Sequence, residues 1–237
     1  MIYGIHPVQA ALANARRPVH TLLLTRNAEQ RLAQELERRQ ITPERVLPKD
    51  IDRRLGPEAV HQGALLETDA LPEPSLLDLA EQANEKPLVI LDHVTDPHNV
   101  GAILRSAAVF GASGLIMTRR HSPPLDGTLA KSASGALEHV PVLLVQNLSR
   151  TIAELKEVGV TVVGLDSGAA DRLEASAWPA CVALVLGAEG RGLRQLTRES
   201  CDRLMRISTG SALDSLNVSN AAAIALHWAA VQRGPSN

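Results

Sequence analysis

The stretch LVILDHVTDPHNVGAILRSAAVFG, Leu88 to Gly111, decides the fold. Its opening five residues, Leu88 to Asp92, are an apolar run suited to a strand buried on both faces of a parallel sheet. The chain then turns through Asp96-Pro97-His98-Asn99-Val100-Gly101. It continues as Ala102, Ile103, Leu104, Ala107 and Ala108, an apolar helical pattern interrupted by one cation, Arg105. Strand, polar turn and helix start is how α/β proteins present chemistry at strand carboxyl ends. The helix start also offers unpaired N–H groups and partial positive charge, so an anion such as a phosphate is a natural guest.

Outward from this unit the strand–helix rhythm continues. Strands are expected at Gly114–Met117, Val142–Val145, Val160–Leu165, Val182–Leu186 and Arg203–Ile207, with helices at Leu148–Glu157, Leu193–Ser200 and beyond Asn217. Residues 1–70 read as a smaller α/β unit. Pro7 suits the first turn of a helix, Thr21–Thr25 is a strand, and Asn27 can cap a helix from Ala28 to Arg39. Short strands are expected near Arg45–Leu47 and Gly63–Glu67. Pro72, Pro74 and Pro87 surround a short helix, Leu76–Ala83. The organisation expected is therefore domain 1–70, linker 71–86 and domain 87–237.

At 237 residues the chain can bury a substantial core, and 45% hydrophobic with 21% charged residues is an ordinary soluble composition. No apolar run suits a membrane span and no signal peptide is evident at the start. Cys181 and Cys201 lack metal-type spacing and fit buried thiols in a reducing cytoplasm. The net charge of −2 does not advertise nucleic acid, so an RNA partner needs local basic patches. Residues 1–70 carry ten Lys/Arg against nine Asp/Glu. Arg16, Arg17, Arg26, Arg38, Arg39, Arg53 and Arg54 there fit either a solvated helix face or phosphate contacts, which orient RNA without reading it. Four aromatics, Tyr3, Phe110, Trp178 and Trp228, argue against a base-stacking platform.

Two later stretches carry the same kind of information as the first. Gly187-Ala188-Glu189-Gly190-Arg191-Gly192-Leu193 follows a buried strand, and its glycines permit tight turns and close approach of a ligand to the backbone. It lacks the third glycine of a dinucleotide fingerprint, which disfavours a Rossmann-type nucleotide enzyme. Ser215-Leu216-Asn217-Val218-Ser219 opens the last helix and by itself reads as an N-cap. His93, His98, Asp92 and Asp96 do not complete a ligand set, so no metal is expected.

These stretches resemble the three motifs of the SpoU/TrmH family of RNA ribose 2′-O-methyltransferases. Asn99, Gly101, Arg105 and Ala107 fit its first pattern, Gly187, Glu189 and Gly192 its second, and Ser215–Ser219 its third. Lys131-Ser132-Ala133-Ser134-Gly135-Ala136 is similar to a further family segment near the active site, and equally fits a helix end with Gly135 as cap. Tyr3-Gly4-Ile5-His6 with Val8, and Val60-His61-Gln62-Gly63, resemble the substrate-binding domain of the ribosomal-RNA branch.

The resemblance implies an L30e-like α/β domain joined to a SPOUT-type α/β domain with a trefoil knot. It also implies S-adenosylmethionine as methyl donor and a guanosine of large-subunit (23S) ribosomal RNA as substrate, in a cytoplasmic homodimer. Gly187, Ile207, Leu216 and Asn217 match donor-binding positions; Arg105, Asn99, Glu189 and Asn217 match catalytic ones. Arginine holds its proton too tightly to be an ordinary base, so Arg105 suits phosphate grip and alkoxide stabilisation. Glu189 is then the evident carboxylate for proton acceptance. The chain departs from the ribosomal-RNA branch at Ser208-Thr209, where Pro-Met is common, and at Trp228, where a glutamate is usual. A transfer-RNA methylase of the family and a silent RNA-binding assembly module are the alternatives. The extra N-terminal domain weighs against the first, and intact Asn99, Arg105, Glu189 and Asn217 against the second.

Overall fold

A computed structural model describes residues 1–176, 178–210 and 216–233. In chain order the first elements are β1 (Ile2–Tyr3), α1 (Ile5–Ala13), β2 (Thr21–Leu24), α2 (Arg26–Arg31), α3 (Ala33–Arg39), β3 (Glu44–Arg45), α4 (Pro48–Leu55) and β4 (Ala64–Glu67). Then follow α5 (Leu76–Gln82), β5 (Leu88–Asp92), α6 (Pro97–Val109), β6 (Gly114–Thr118), α7 (Gly127–Ala133), β7 (Val142–Val145) and α8 (Leu148–Glu157). The last are β8 (Thr161–Leu165), β9 (Asp171–Arg172), β10 (Val182–Gly187), α9 (Gln195–Ser200), β11 (Arg203–Arg206) and α10 (Val218–Arg233).

The elements form two compact units. One comprises Met1–Pro72 together with Pro124–His139; the other comprises Glu73–Pro123 and the chain from Val140 onward. The first unit is built on a four-stranded sheet in the order β1-β4-β2-β3, with only β2 and β3 parallel. Thr25, rather than Asn27, caps α2: its Oγ1 accepts from the Ala28 N–H. The helix expected to run unbroken to Arg39 bends at Leu32, whose φ of −104° and ψ of 10° leave helical values. Its backbone still bonds Ala28 and Leu36, and its side chain is fully buried.

The segment 124–139 belongs to the first unit through specific contacts. Glu138 is buried and bridges Arg17, whose Nε donates to both carboxylate oxygens at 3.0 and 3.1 Å. Asn14 Nδ2 donates to the same carboxylate at 2.7 Å, and Arg17 Nη1 reaches the Asp69 carbonyl. Gly127 lies so close to the Tyr3 ring that a side chain there would collide with it. In the Lys131–Ala136 stretch, Ser134 (φ 49°) and Gly135 (φ 92°) both turn left-handed and end α7.

The second unit holds a seven-stranded sheet in the order β7-β6-β5-β10-β8-β11-β9, all parallel. β5, β6 and β10 are buried along their lengths, which explains their unbroken apolar runs. Within residues 71–86, α5 is capped reciprocally by Ser75 and Asp78 and buries Leu79, Ala80 and Ala83 in this unit's core. Gly187 pairs in register with Asp92, so the carboxyl ends of β10 and β5 stand side by side.

Candidate functional site

The site is built on the carboxyl ends of β5 and β10 and the amino end of α10. Asn99 lies in the first turn of α6, which Asp96 caps by accepting from the His98 N–H at 2.9 Å. Glu189 lies on the loop after β10. That loop closes tightly: Gly192 N donates to the Ala188 carbonyl at 2.8 Å, with Gly190 and Gly192 both at positive φ. A Cβ on Gly187 would run into the backbone of Gly192 and Leu193. Glycine is required there by the loop's own return.

Asn217 joins the three stretches. Its Oδ1 caps α10, accepting from the Ser219 N–H at 2.8 Å and the Ser219 hydroxyl at 2.5 Å. Its Nδ2 donates to Asn99 Oδ1 at 3.0 Å and to Glu189 Oε1. The residue is thus both helix cap and bridge. Ser215, the first residue of its motif, lies outside the described residues.

Beside this bridge is a cavity of about 330 Å³, at the lower end of the range for small-molecule sites. Gly187, Ile207 and Leu216 line it, with Leu165, Asp166 and Arg206. The chain neighbours of Glu189 (Ala188, Gly190) and of Asn217 (Leu216, Val218) also line it, so the bridge lies next to the cavity along the chain. Leucine and isoleucine side chains, glycine backbone, Asp166 and three arginines, Arg191, Arg198 and Arg206, suit a nucleoside with a charged tail.

Arg105 is placed differently. It is exposed in the stripe His98, Ala102, Arg105, Val109 along α6, roughly 9 Å along and about 120° around the helix from Asn99. Among the described residues its guanidinium has no hydrogen bond or ion pair, so it is free to meet a ligand. Sequence reasoning missed one pair here. Asp92, fully buried at the end of β5, accepts from Arg194 Nε at 2.6 Å and from the Arg194 N–H at 2.9 Å. The pair ties the end of the glycine loop to β5. An Asp closing an apolar strand was the available signal. Among the described residues no three His, Cys, Asp or Glu side chains gather as a metal site would need.

With this geometry in view, comparison with known proteins is specific. Residues 86–227 match the SpoU rRNA Methylase family, and residues 1–74 match the RNA 2′-O ribose methyltransferase substrate binding family. The chain is 39% identical over 238 residues to 23S rRNA (guanosine-2′-O-)-methyltransferase RlmB of Ralstonia nicotianae, covering 98% of this chain and 96% of that one. The protein of the same name from Escherichia coli K12 is 39% identical over 240 residues, 98% of each chain. Among solved structures, the SpoU methyltransferase AviRb from Streptomyces viridochromogenes, in complex with AdoMet, superposes with a TM-score of 0.80 at 27% identity. That match covers 100% of this chain and 91% of AviRb. The chain is a member of the SpoU rRNA methylase family.

Proposed function

We propose that this protein transfers a methyl group from S-adenosylmethionine to the ribose 2′-hydroxyl of a guanosine in 23S ribosomal RNA. One observation carries this reading: three stretches far apart in sequence converge on the Asn217 bridge, and chain neighbours of Glu189 and Asn217 line a nucleoside-sized cavity. The relatives named above, similar along nearly the whole chain, supply the RNA and the nucleotide.

S-adenosylmethionine supplies a methyl group activated by a sulfonium. Gly187, Ile207 and Leu216 would hold it, the first through backbone and the others through apolar contact. The remaining chemistry falls to this chain's own side chains. A new bond forms between the ribose O2′ and the methyl carbon as the bond to sulfur breaks, and the hydroxyl proton must leave. Glu189 accepts that proton, held in place by the Asn217 amide. Arg105, charged throughout, grips RNA phosphate and stabilises the developing alkoxide. Asn99 orients the ribose with the amide nitrogen that Asn217 leaves open.

The family's trefoil knot and its dimer belong to the same proposal. α10 packs on α6 and β10. It leaves Ile224 and Val231 exposed, and α6 leaves Val109 exposed. Trp228 is half-buried with its indole N–H unpaired among the described residues. A second copy covering Ile224 and Val231 explains their exposure. Light scattering over a concentration series should show a dimer, weakened in Trp228→Ala; a monomer at high micromolar concentration would refute it. Its place of work is the cytoplasm, with ribosomal RNA; no described helix is long and apolar enough to cross a membrane. The test of the reaction is mapping of ribose methylation on 23S RNA from cells with and without the gene. One guanosine should lose its 2′-methyl; an unchanged map would overturn the reading.

A further inference from the structure

A second cavity of the catalytic unit, about 380 Å³, opens at the carboxyl ends of β5, β6 and β7. His93 follows β5, Arg120 and His121 follow β6, Asn147 and Ser149 open α8, and Arg194 leads into α9. None of its lining residues is acidic. Arg120 and Arg194 line it, so its lining is cationic.

The cations are available. The one carboxylate nearby, Asp92, is fully buried and engaged through Arg194 Nε, which leaves the terminal nitrogens of Arg194 without a partner among the described residues. The Arg120 side chain likewise has no partner among them. Asn147 caps α8 by accepting from the Arg150 N–H and the Ser149 hydroxyl. The amides of Leu148 and Ser149 remain as donors at the positive end of a ten-residue helix.

His93 and His121 line the same space with rings 4.6 Å apart, and both hold left-handed backbones, φ 57° and 62°. Non-glycine residues in that region are uncommon and gather at functional sites. Burial, then the Arg194 charge, holds the His93 imidazole below its ordinary range.

We infer that this cavity binds a phosphate, and that the phosphate is a backbone phosphodiester of the RNA flanking the methylated nucleotide. The anion chemistry stands on these residues alone; RNA as its source rests on the methyltransferase reading. The loop from Gly187 to Arg194 borders both cavities, with Leu193 on the donor side and Arg194 here. An RNA strand crossing the sheet edge meets the phosphate site and the donor in succession.

Arg120→Gln tests this, since Arg120 has no structural partner to lose. Binding of a single-stranded RNA fragment, followed by fluorescence anisotropy across a salt series, should weaken about tenfold at low salt. The slope of log affinity against log salt should fall by about 0.7, one phosphate's share. Donor affinity by calorimetry and the melting temperature should not move. In the wild type, the His93 and His121 ring resonances should shift on adding the RNA fragment and, more weakly, inorganic phosphate. An unchanged slope in the variant overturns the site. Ring shifts with inorganic phosphate alone overturn RNA as its occupant. A slope that falls in Arg120→Gln while the wild type transfers no methyl group would sink the methyltransferase reading while supporting the phosphate site.

Discussion

The arginines of the two units carry the same charge, and in each unit some are built into the fold while others are left available. In the first unit most are built into the fold. Arg17 holds Glu138, and Arg39 donates to the carbonyls of Asn14 and Arg17 at 2.9 and 2.8 Å. Arg38 donates to the Ala13 carbonyl, while Arg53 and Arg54 pair with Asp50 and Glu67. In the second unit Arg119, Arg150, Arg194 and Arg198 pair with carboxylates, whereas Arg105, Arg120 and Arg191 have no such partners among the described residues. Cation density along the sequence is thus a poor guide to RNA contact. Availability of the guanidinium is the better one, and of the seven arginines noted in residues 1–70 only Arg16 and Arg26 are without a side-chain partner among the described residues.

The largest effect should follow from breaking the buried pair. Arg17→Ala leaves Glu138 deeply buried and short of its strongest donor. Loss of one member of such a pair costs about 3–5 kcal/mol. Urea denaturation measures it, and loss of stability below about 1 kcal/mol would show that Asn14 suffices to hold the carboxylate.

Next comes the free arginine of α6. Arg105→Ala should lower methyl transfer about a hundred- to a thousandfold, the usual scale for one transition-state donor, with stability unchanged. Single-turnover assays beside donor calorimetry check this; wild-type turnover would remove Arg105 from the reaction. Gly187→Val tests the loop between those extremes. Because its Cβ meets backbone rather than open cavity, it should cost about 1–3 kcal/mol of stability as well as donor binding. A variant as stable as the parent but unable to bind donor would show that the clash is with the ligand alone.

Some of this was legible in the sequence and some was not, for a consistent reason. Buried strands such as β5 and β10 announce themselves as apolar runs, and the strand–helix alternation carries the parallel sheet. Asn99, Glu189 and Asn217 were legible as motif residues, but their meeting on one amide was not, because pairing across 118 residues leaves no periodic trace. The same holds for Arg17 with Glu138 and Asp92 with Arg194. Segment 124–139 reads locally as part of the catalytic domain, since only its buried partners place it with residues 1–72. The bend at Leu32 also escaped, as helical spacing continues through it.

The smallest effect should come from Arg54→Ala, the control for the whole comparison. Arg54 Nη1 lies 2.6 Å from Glu67 Oε1 at the end of β4, and both side chains are substantially exposed, 43% and 34%. Water and salt screen such a pair, and ordering two long side chains offsets most of the attraction, so the expected loss is about 0.2–1 kcal/mol. Arg54 is one of the cations that, by count alone, would be assigned to RNA. If availability decides, RNA affinity and its salt slope should stay at the parent values, whereas Arg26→Ala, which removes an exposed cation without a partner, should lower both. Anisotropy with the same RNA fragment on the two variants gives the answer. A drop with Arg54→Ala as large as that with Arg26→Ala would mean that a paired guanidinium still serves the RNA, and that engagement within the fold does not withdraw it from binding.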